Sequence, residues 1–353
     1  MTRDIREPQP ADPLRHHGDV DAEPGLLDFA VNVRATEPPR WLLDRLAAEL
    51  PGLARYPSAR YEEAARAAVA ARHGREPDEV LPLSGAAEAF ALLPRLRPRH
   101  AVVVHPSFTE PEAALRAADI PVHRVLLEES EGFALRPELI PDEADLVILG
   151  NPTNPTGRLH HEVAELARPG RLLVVDEAFA DAVEGEPGSL AAQGIPGVLV
   201  VRSLTKTFAI AGLRAGYLLG EPELLARLHA HRPQWPVGTL GLAAIAECAS
   251  ERAVRAAALE AREIAAEREW LTARLTELGV HVCGPGVAPF LLLRVPDGER
   301  MRLFLRDKGI AVRRCDTFPG LGPDHLRIAV RERALASRLL EAMEEELCRY
   351  SPR

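Results

Sequence analysis

Five short apolar runs, at residues 101–104, 146–149, 172–175, 198–201 and 215–219, limit the fold of this chain more than any other feature. Each is apolar at consecutive rather than alternate positions, which is how a strand covered on both faces reads. Amphipathic, alanine-rich stretches such as 61–73 and 86–96 accompany them. That succession predicts an α/β fold, a mostly parallel sheet with crossover helices on its faces. The sheet region runs to about residue 240. Beyond it the spacing predicts a long helix over 252–278, with Leu271, Leu275 and Leu278 on one face and Gly279 as its stop. Short strands around His281 and at 291–294, 310–313 and 325–330 then alternate with helices near 299–308 and 332–348. A chain of 353 residues accommodates both parts. The expected division is a loose arm at 1–25, a segment at 26–50 packing with the smaller domain, a large domain at 51–240 and a smaller α+β domain at 241–353.

Charge and cysteine usage exclude several functions. The formal net charge of −9 argues against a general polyanion binder, because nucleic-acid affinity needs basic side chains to displace counterions. Cys248, Cys283, Cys315 and Cys348 lie far apart and form no CxxC, so neither a zinc site nor a disulfide framework is expected. No metal is predicted. The polar opening segment has no apolar core of signal-peptide length, and no run of about twenty apolar residues occurs. A cytoplasmic protein with reduced thiols, touching neither nucleic acid nor membrane, is the expectation. His160-His161-Glu162 with Glu165 lacks the spacing of helix metal ligands and reads as a solvated helix start, while His105 after a buried strand reads equally as core or as site wall. Neither GxGxxG nor GxxxxGK[ST] occurs, which leaves dinucleotide and P-loop readings unsupported.

The chemistry-bearing residues fall just after the apolar runs. Asn151-Pro-Thr-Asn-Pro-Thr-Gly157 follows the second, Asp176-Glu-Ala-Phe179 the third, and Arg202-Ser-Leu-Thr-Lys-Thr207 the fourth, with Gly212-Leu-Arg-Ala-Gly216 next. Ligands of open α/β sheets bind at the carboxyl ends of strands, so these turns converge where a site is expected. Each alone is commonplace: an Asn-Pro turn is a loop, an aspartate caps a helix, a lysine reaches water. Their order and placement together are not. Arginine supplies 41 of the 43 basic residues, so a function that needs an amine has only Lys206 and Lys308 to use. Lys308 stands at a predicted helix end, where a cation suits the dipole and faces water.

With these motifs the chain resembles the pyridoxal-phosphate enzymes of the aspartate aminotransferase fold (fold type I), from Asn32 to Arg331. Within that group it resembles the threonine-phosphate decarboxylases of the cobalamin pathway, with histidinol-phosphate aminotransferases next. Asp28-Phe-Ala-Val-Asn32, Leu92-Leu-Pro-Arg-Leu96, Val312-Arg-Arg-Cys-Asp-Thr-Phe-Pro-Gly-Leu321 and Leu326-Arg-Ile-Ala-Val-Arg331 carry the likeness.

The resemblance implies pyridoxal 5'-phosphate held on Lys206 as a Schiff base, with Asp176 keeping the pyridine nitrogen protonated and Asn154 donating to the ring oxygen. Phe179 stands where many relatives place a tyrosine as second donor. Gly85, Ala86 and Ala87 at a helix start, with Ser203, Thr205 and Arg214, would bind the cofactor phosphate. Phe108 would stack on the ring, and Tyr56 would reach in from the partner of a homodimer. Arg313 and Arg327 would grip the anionic groups of a small phosphorylated amino-acid substrate, with Arg314 and Arg331 as weaker candidates and Asn32 in a closing segment. The implied reaction is decarboxylation of L-threonine O-3-phosphate to (R)-1-amino-2-propanol phosphate. The alternative is an aminotransferase such as one for histidinol phosphate, and a third reading is a binding module without catalysis. Which bond stands perpendicular to the ring separates the first two.

Overall fold

The computed structural model describes residues 12–350. The chain enters through the short helix α1 (Gly18–Asp21), the strand β1 (Leu27–Asp28) and helices α2 (Arg40–Glu49) and α3 (Ala59–His73). The strands β2 (Val80–Leu83), β3 (Ala101–His105), β4 (Val122–Leu126), β5 (Leu146–Gly150), β6 (Leu172–Asp176), β7 (Val198–Ser203) and β8 (Gly216–Leu219) follow, with α4 (Ala87–Leu92) and α5 (Glu110–Ala117) among them. After α6 (Pro222–His229), α7 (Thr239–Cys248) and α8 (Glu251–Glu277) come β9 (His281–Val282), β10 (Phe290–Arg294), α9 (Gly298–Asp307), β11 (Ile310–Ala311), β12 (Arg313–Arg314), β13 (His325–Ala329) and α10 (Arg333–Tyr350).

The large sheet runs β2-β8-β7-β6-β5-β3-β4, parallel except for β8, which is antiparallel to both neighbours. The five apolar runs are β3, β5, β6, β7 and β8, nearly all of whose residues are buried. Sequence patterning missed the two edges. β2 carries Pro82, which has no amide to give and is tolerated because one side of an edge strand is free. β4 exposes His123, Arg124 and Leu126 and so never reads as a buried run. The second sheet, β12-β13-β10-β9, is antiparallel, and β1 pairs with β11 in parallel.

Core packing divides the chain differently from the expected boundaries. Leu42 of α2 and Leu242, Ala244 and Ile245 of α7 belong to the apolar core around the large sheet, so of 26–50 only β1, paired with β11, and the adjoining Phe29 pack with the smaller domain. α8 joins the two cores, with Ala253 and Ala257 in the first and Leu271 and Leu275 in the second. Ser250 starts it by accepting from the Ala253 amide at 3.3 Å, and Gly279 at φ +75° ends it. Residues 12–21 are not a loose arm. Leu14 is buried, the Thr109 hydroxyl donates to its carbonyl, and His17 pairs with Glu110 at 2.6 Å, which fixes the segment on α5. Residues 1–11 of the expected arm lie outside the described residues. Among those described, no helix is long and apolar enough to cross a membrane.

Beneath the carboxyl ends of β6 and β7 lies a charged cluster. Arg202, wholly buried, donates to Asp181 at 2.6 Å, Glu186 at 2.6 Å and Glu177 at 3.1 Å, and Arg72 shares Asp181 and Glu186. The Ser189 hydroxyl and the Leu190 amide complete Glu177, at 2.6 and 2.7 Å. Removing one partner of such a cluster strands buried charge. Arg202→Met is therefore expected to cost about 3–5 kcal/mol of stability, read from denaturant unfolding.

Candidate active site

The turns after β5, β6 and β7 open on one cleft of about 410 Å³, faced from the other side by Arg313 of β12, Arg327 of β13 and backbone near residues 17–19 and 30–33. Parallel register produces this convergence. Gly150, the last residue of β5, pairs with Asp176, the last of β6, and Asp176 pairs with Val201 of β7. In the first turn Asn151 is spent on structure: its side chain accepts from the His160 amide at 2.8 Å and donates to the His160 and Gly188 carbonyls. Asn154 is left to face the cleft. His160, read from sequence as solvated, is buried against Thr153 at 3.2 Å, and burial pulls its pKa down to about 4. His105 is likewise a core residue, paired with Glu112 at 2.8 Å and Ser107 at 3.2 Å.

Lys206 and Asp176 both line the cleft, and each acts on the other's charge. The Lys206 amine donates to Thr205 at 2.9 Å and to Ser203 at 3.4 Å, and the two hydroxyls lie 2.8 Å apart. Loss of water brings its pKa down to about 8; Asp176 opposes this shift, while Arg214 and Arg327 add to it. Loss of water raises Asp176 to about 6 against the pull of the Ala178 amide, at 3.1 Å, and of Lys206. Phe179 packs edge-on against Phe290 with centroids 5.0 Å apart, so this position adds packing and no donor.

An anion cradle lies beside the lysine. Ala86 caps α4 and Ala87 begins it, and a helix start presents unpaired amides. Gly85 has φ +85°, and a Cβ there would stand 2.7 Å from the Arg214 guanidinium. A Cβ on Gly216 would meet the Arg202 carbonyl at 2.6 Å and the Ala86 amide at 3.0 Å. These glycines let guanidinium, amides and the Ser203 and Thr205 hydroxyls crowd one spot, as a phosphate monoester requires. The donor set fits the cofactor implied by the motifs.

The remaining expected residues divide. Arg327, buried, donates to Asn154 and to the Ala30 carbonyl and lies over Phe290 at 5.4 Å; burial brings it down to about 10. Its Nε and the Oδ1 of Asn32 are buried without a partner, so polar capacity is left over at the cleft. Phe108 lines the cleft, 5.4 Å from the His17 ring. Arg313 also lines it, but its guanidinium is engaged by the carbonyls of Arg314 (2.6 Å) and His16 (2.7 Å), by Thr317 (2.8 Å) and by Asp21 (3.5 Å). Arg314 instead pairs with Asp316 at 2.7 Å. Arg331 is a strap: it donates to the carbonyls of Asp28 and Val31, both at 2.9 Å, and of Val33 and Arg34. Tyr56 does not enter this cleft; 73% exposed, it stacks on Trp235 at 4.1 Å. His17, Gly18 and Asp19 are wall residues that sequence reasoning missed, because a short polar stretch carries no periodicity to place it. Gly85→Ala should push Arg214 out of the cradle. Loss of one charge-assisted contact, about 1.5–3 kcal/mol, predicts at least about tenfold weaker cofactor binding, measured by equilibrium titration.

Comparison with known proteins identifies the family. Residues 24–343 match the family described as aminotransferase class I and II. A histidinol-phosphate aminotransferase of Mycobacterium tuberculosis is 56% identical over 319 residues, 90% of this chain and 87% of that protein. A threonine-phosphate decarboxylase of Salmonella typhimurium is 32% identical over 349 residues, 93% of each chain. In fold, the crystal structure of the histidinol-phosphate aminotransferase from Clostridium acetobutylicum superposes with a TM-score of 0.84 at 24% identity, over 92% of this chain and 100% of that one. Identity thus favours the aminotransferases over the decarboxylases that the motifs put first. The family match over residues 24–343 and the 56% identity over 90% of the chain show that the chain belongs to the class I and II aminotransferases, whose cofactor is pyridoxal phosphate.

Proposed function

We propose that this protein transfers an amino group to or from a small phosphorylated amine, with histidinol phosphate the substrate to test first. The observation that carries the reading is Lys206, an amine whose pKa burial brings down to about 8, in a cleft that also presents Asp176, an anion cradle and two buried arginines. Bound pyridoxal 5'-phosphate would supply an electron sink for the bonds at the substrate's α-carbon.

The chain's own residues do the rest. Asp176 holds the cofactor's ring nitrogen, and a cation there pulls its carboxyl back to the charged form. Asn154 reaches the ring oxygen alone, since Phe179 has no donor, and Phe108 covers a ring face. Gly85, Ala86, Ala87, Ser203, Thr205 and Arg214 hold the phosphate. Lys206, once neutral, takes and returns the α-carbon proton. Arg327 and Arg313 take the anionic groups, the phosphate of histidinol phosphate in one half-reaction and the carboxylates of the amino donor in the other, with the unpartnered Nε of Arg327 the donor left over for them, and Asn32 contacts the substrate from the closing segment. The homodimer implied by Tyr56 fits its exposed stacking on Trp235, where it is free to serve a neighbouring cleft.

One observation favours a second reading. Two buried arginines suit a substrate with both carboxylate and phosphate, as in threonine phosphate, and here decarboxylation follows if the carboxylate stands perpendicular to the ring. The same pair suits the two carboxylates of glutamate, the amino donor that transamination needs. A substrate panel decides. Glutamate formed from histidinol phosphate only with 2-oxoglutarate present is expected; carbon dioxide released from threonine phosphate without a keto acid would establish the second reading instead. Lys206 is tested separately. Borohydride reduction should fix the cofactor on Lys206 and not on Lys308, seen by peptide mass spectrometry. Cofactor capture by the empty protein should accelerate as pH rises through about 8, because a lowered lysine pKa frees the amine above that point.

A further inference from the structure

Away from the cleft, Glu129 stands over a row of side chains on the smaller sheet. Register sets His281 of β9 opposite Arg294 of β10, and Arg294 opposite His325 of β13. Cys283, two residues beyond His281 and so on its face, is fixed by its backbone amide, which donates a hydrogen bond to the Leu292 carbonyl at 2.8 Å. Glu129 arrives from the loop after β4, on the large sheet. One oxygen, Oε2, meets His325 Nε2 at 3.0 Å. His325 Nδ1 accepts the Gly322 amide at 3.2 Å, so its Nε2 carries the proton and donates to the carboxylate. The other oxygen, Oε1, is buried with no partner of good hydrogen-bond geometry, with His281 Nε2 at 3.1 Å and Arg294 Nε at 3.6 Å, while the Cys283 thiol also faces the carboxylate.

The ligand atoms of Glu129, His281 and Cys283 all lie within 4.8 Å of one another. Carboxylate, imidazole and thiolate form a donor set suited to zinc, and bonds of about 2.0–2.3 Å require only a small inward movement. We propose that Glu129, His281 and Cys283 form a zinc site tying the loop of the large sheet to the smaller sheet, with His325 orienting the carboxylate. Zinc displaces the thiol proton to solvent and forms bonds to sulfur, nitrogen and oxygen, and no electron is transferred. Arg294 and His281 are both more than half exposed, so the guanidinium swings into water and a water completes the coordination on the open side. Spacing along the chain hides this set, because Glu129 lies far in sequence from the other two.

The test uses holoenzyme stripped of metal by a chelator and titrated with cobalt(II), whose tetrahedral thiolate bands lie to the red of the cofactor's absorption. One equivalent is expected to give those bands, zinc to abolish them, and zinc to raise the unfolding midpoint. Cys283→Ser should remove the bands. His281→Ala, at an exposed position that leaves the core intact, and His325→Ala, which acts through the carboxylate, should each weaken binding by about tenfold or more. Absence of the bands in the parent protein, or their persistence in both Cys283→Ser and His281→Ala, overturns the site and leaves Glu129 as an ion-pair knot only.

Discussion

Burying an amine and a carboxylate in the same cleft is expensive for both, and much of the architecture exists to make it tolerable. Lys206 is driven toward its neutral form and Asp176 toward its protonated form by the same loss of water, and each partly restores the other's charge. A pair set this way is poised: the lysine can lose its proton near neutral pH, and the aspartate regains full charge when a cation comes opposite. The parallel sheet supplies the rigid placement, since Asp176 closes β6 and Lys206 lies three residues past the end of β7. Below them the Arg202 cluster adds a second charged layer, paired internally, so that β6 and β7 are joined by side chains as well as by their ladder.

Arginine chemistry organises the opposite wall. Arg331 gathers the carbonyls of the segment after β1, Arg327 takes the Ala30 carbonyl and Asn154, and Arg313 takes His16 and Asp21. A guanidinium offers five donors in a fixed plane, so each arginine satisfies several carbonyls of irregular backbone that no sheet or helix would satisfy. Gly18 belongs to the same arrangement, for a Cβ there would stand 2.6 Å from the Ala30 carbonyl. The N-terminal segment thereby becomes part of the cleft.

What was legible in the sequence follows from this division. Strands buried on both faces announce themselves by unbroken apolar runs, and the turns after them carry Asn154, Asp176 and Lys206 in an order that the parallel register brings together. β2 and β4 were not legible because each edge strand escapes one constraint: β2, though buried, tolerates a proline, and β4 tolerates exposure. His17 and Asp21 were hidden because their partners, Glu110 and Arg313, are remote in sequence and no local pattern requires them. His160 failed for another reason. Its neighbours His161 and Glu162 are polar and exposed, yet one ring is drawn inside by the Asn-Pro turn it supports.

The state of Arg313 bears on how one cleft serves either proposed reaction. Four acceptors hold its guanidinium, and the two carbonyls and Thr317 lie at 2.6–2.8 Å, while Asp21 stands at 3.5 Å. The longest contact is also the only charged one. An arriving phosphate or carboxylate can replace Asp21 with a shorter charge-assisted bond and leave the three neutral contacts in place. Asp21 then turns to His16, already 3.2 Å away. In the proposed reading Arg313 is neutralised by Asp21 until an anionic ligand displaces it, whereas Arg327 faces no carboxylate at hydrogen-bond distance among the described residues. Two such arginines match threonine phosphate and the glutamate half of transamination alike, whereas histidinol phosphate, with one anionic group, engages one of them. The reaction itself is left to which α-carbon bond the two arginines hold upright over the ring.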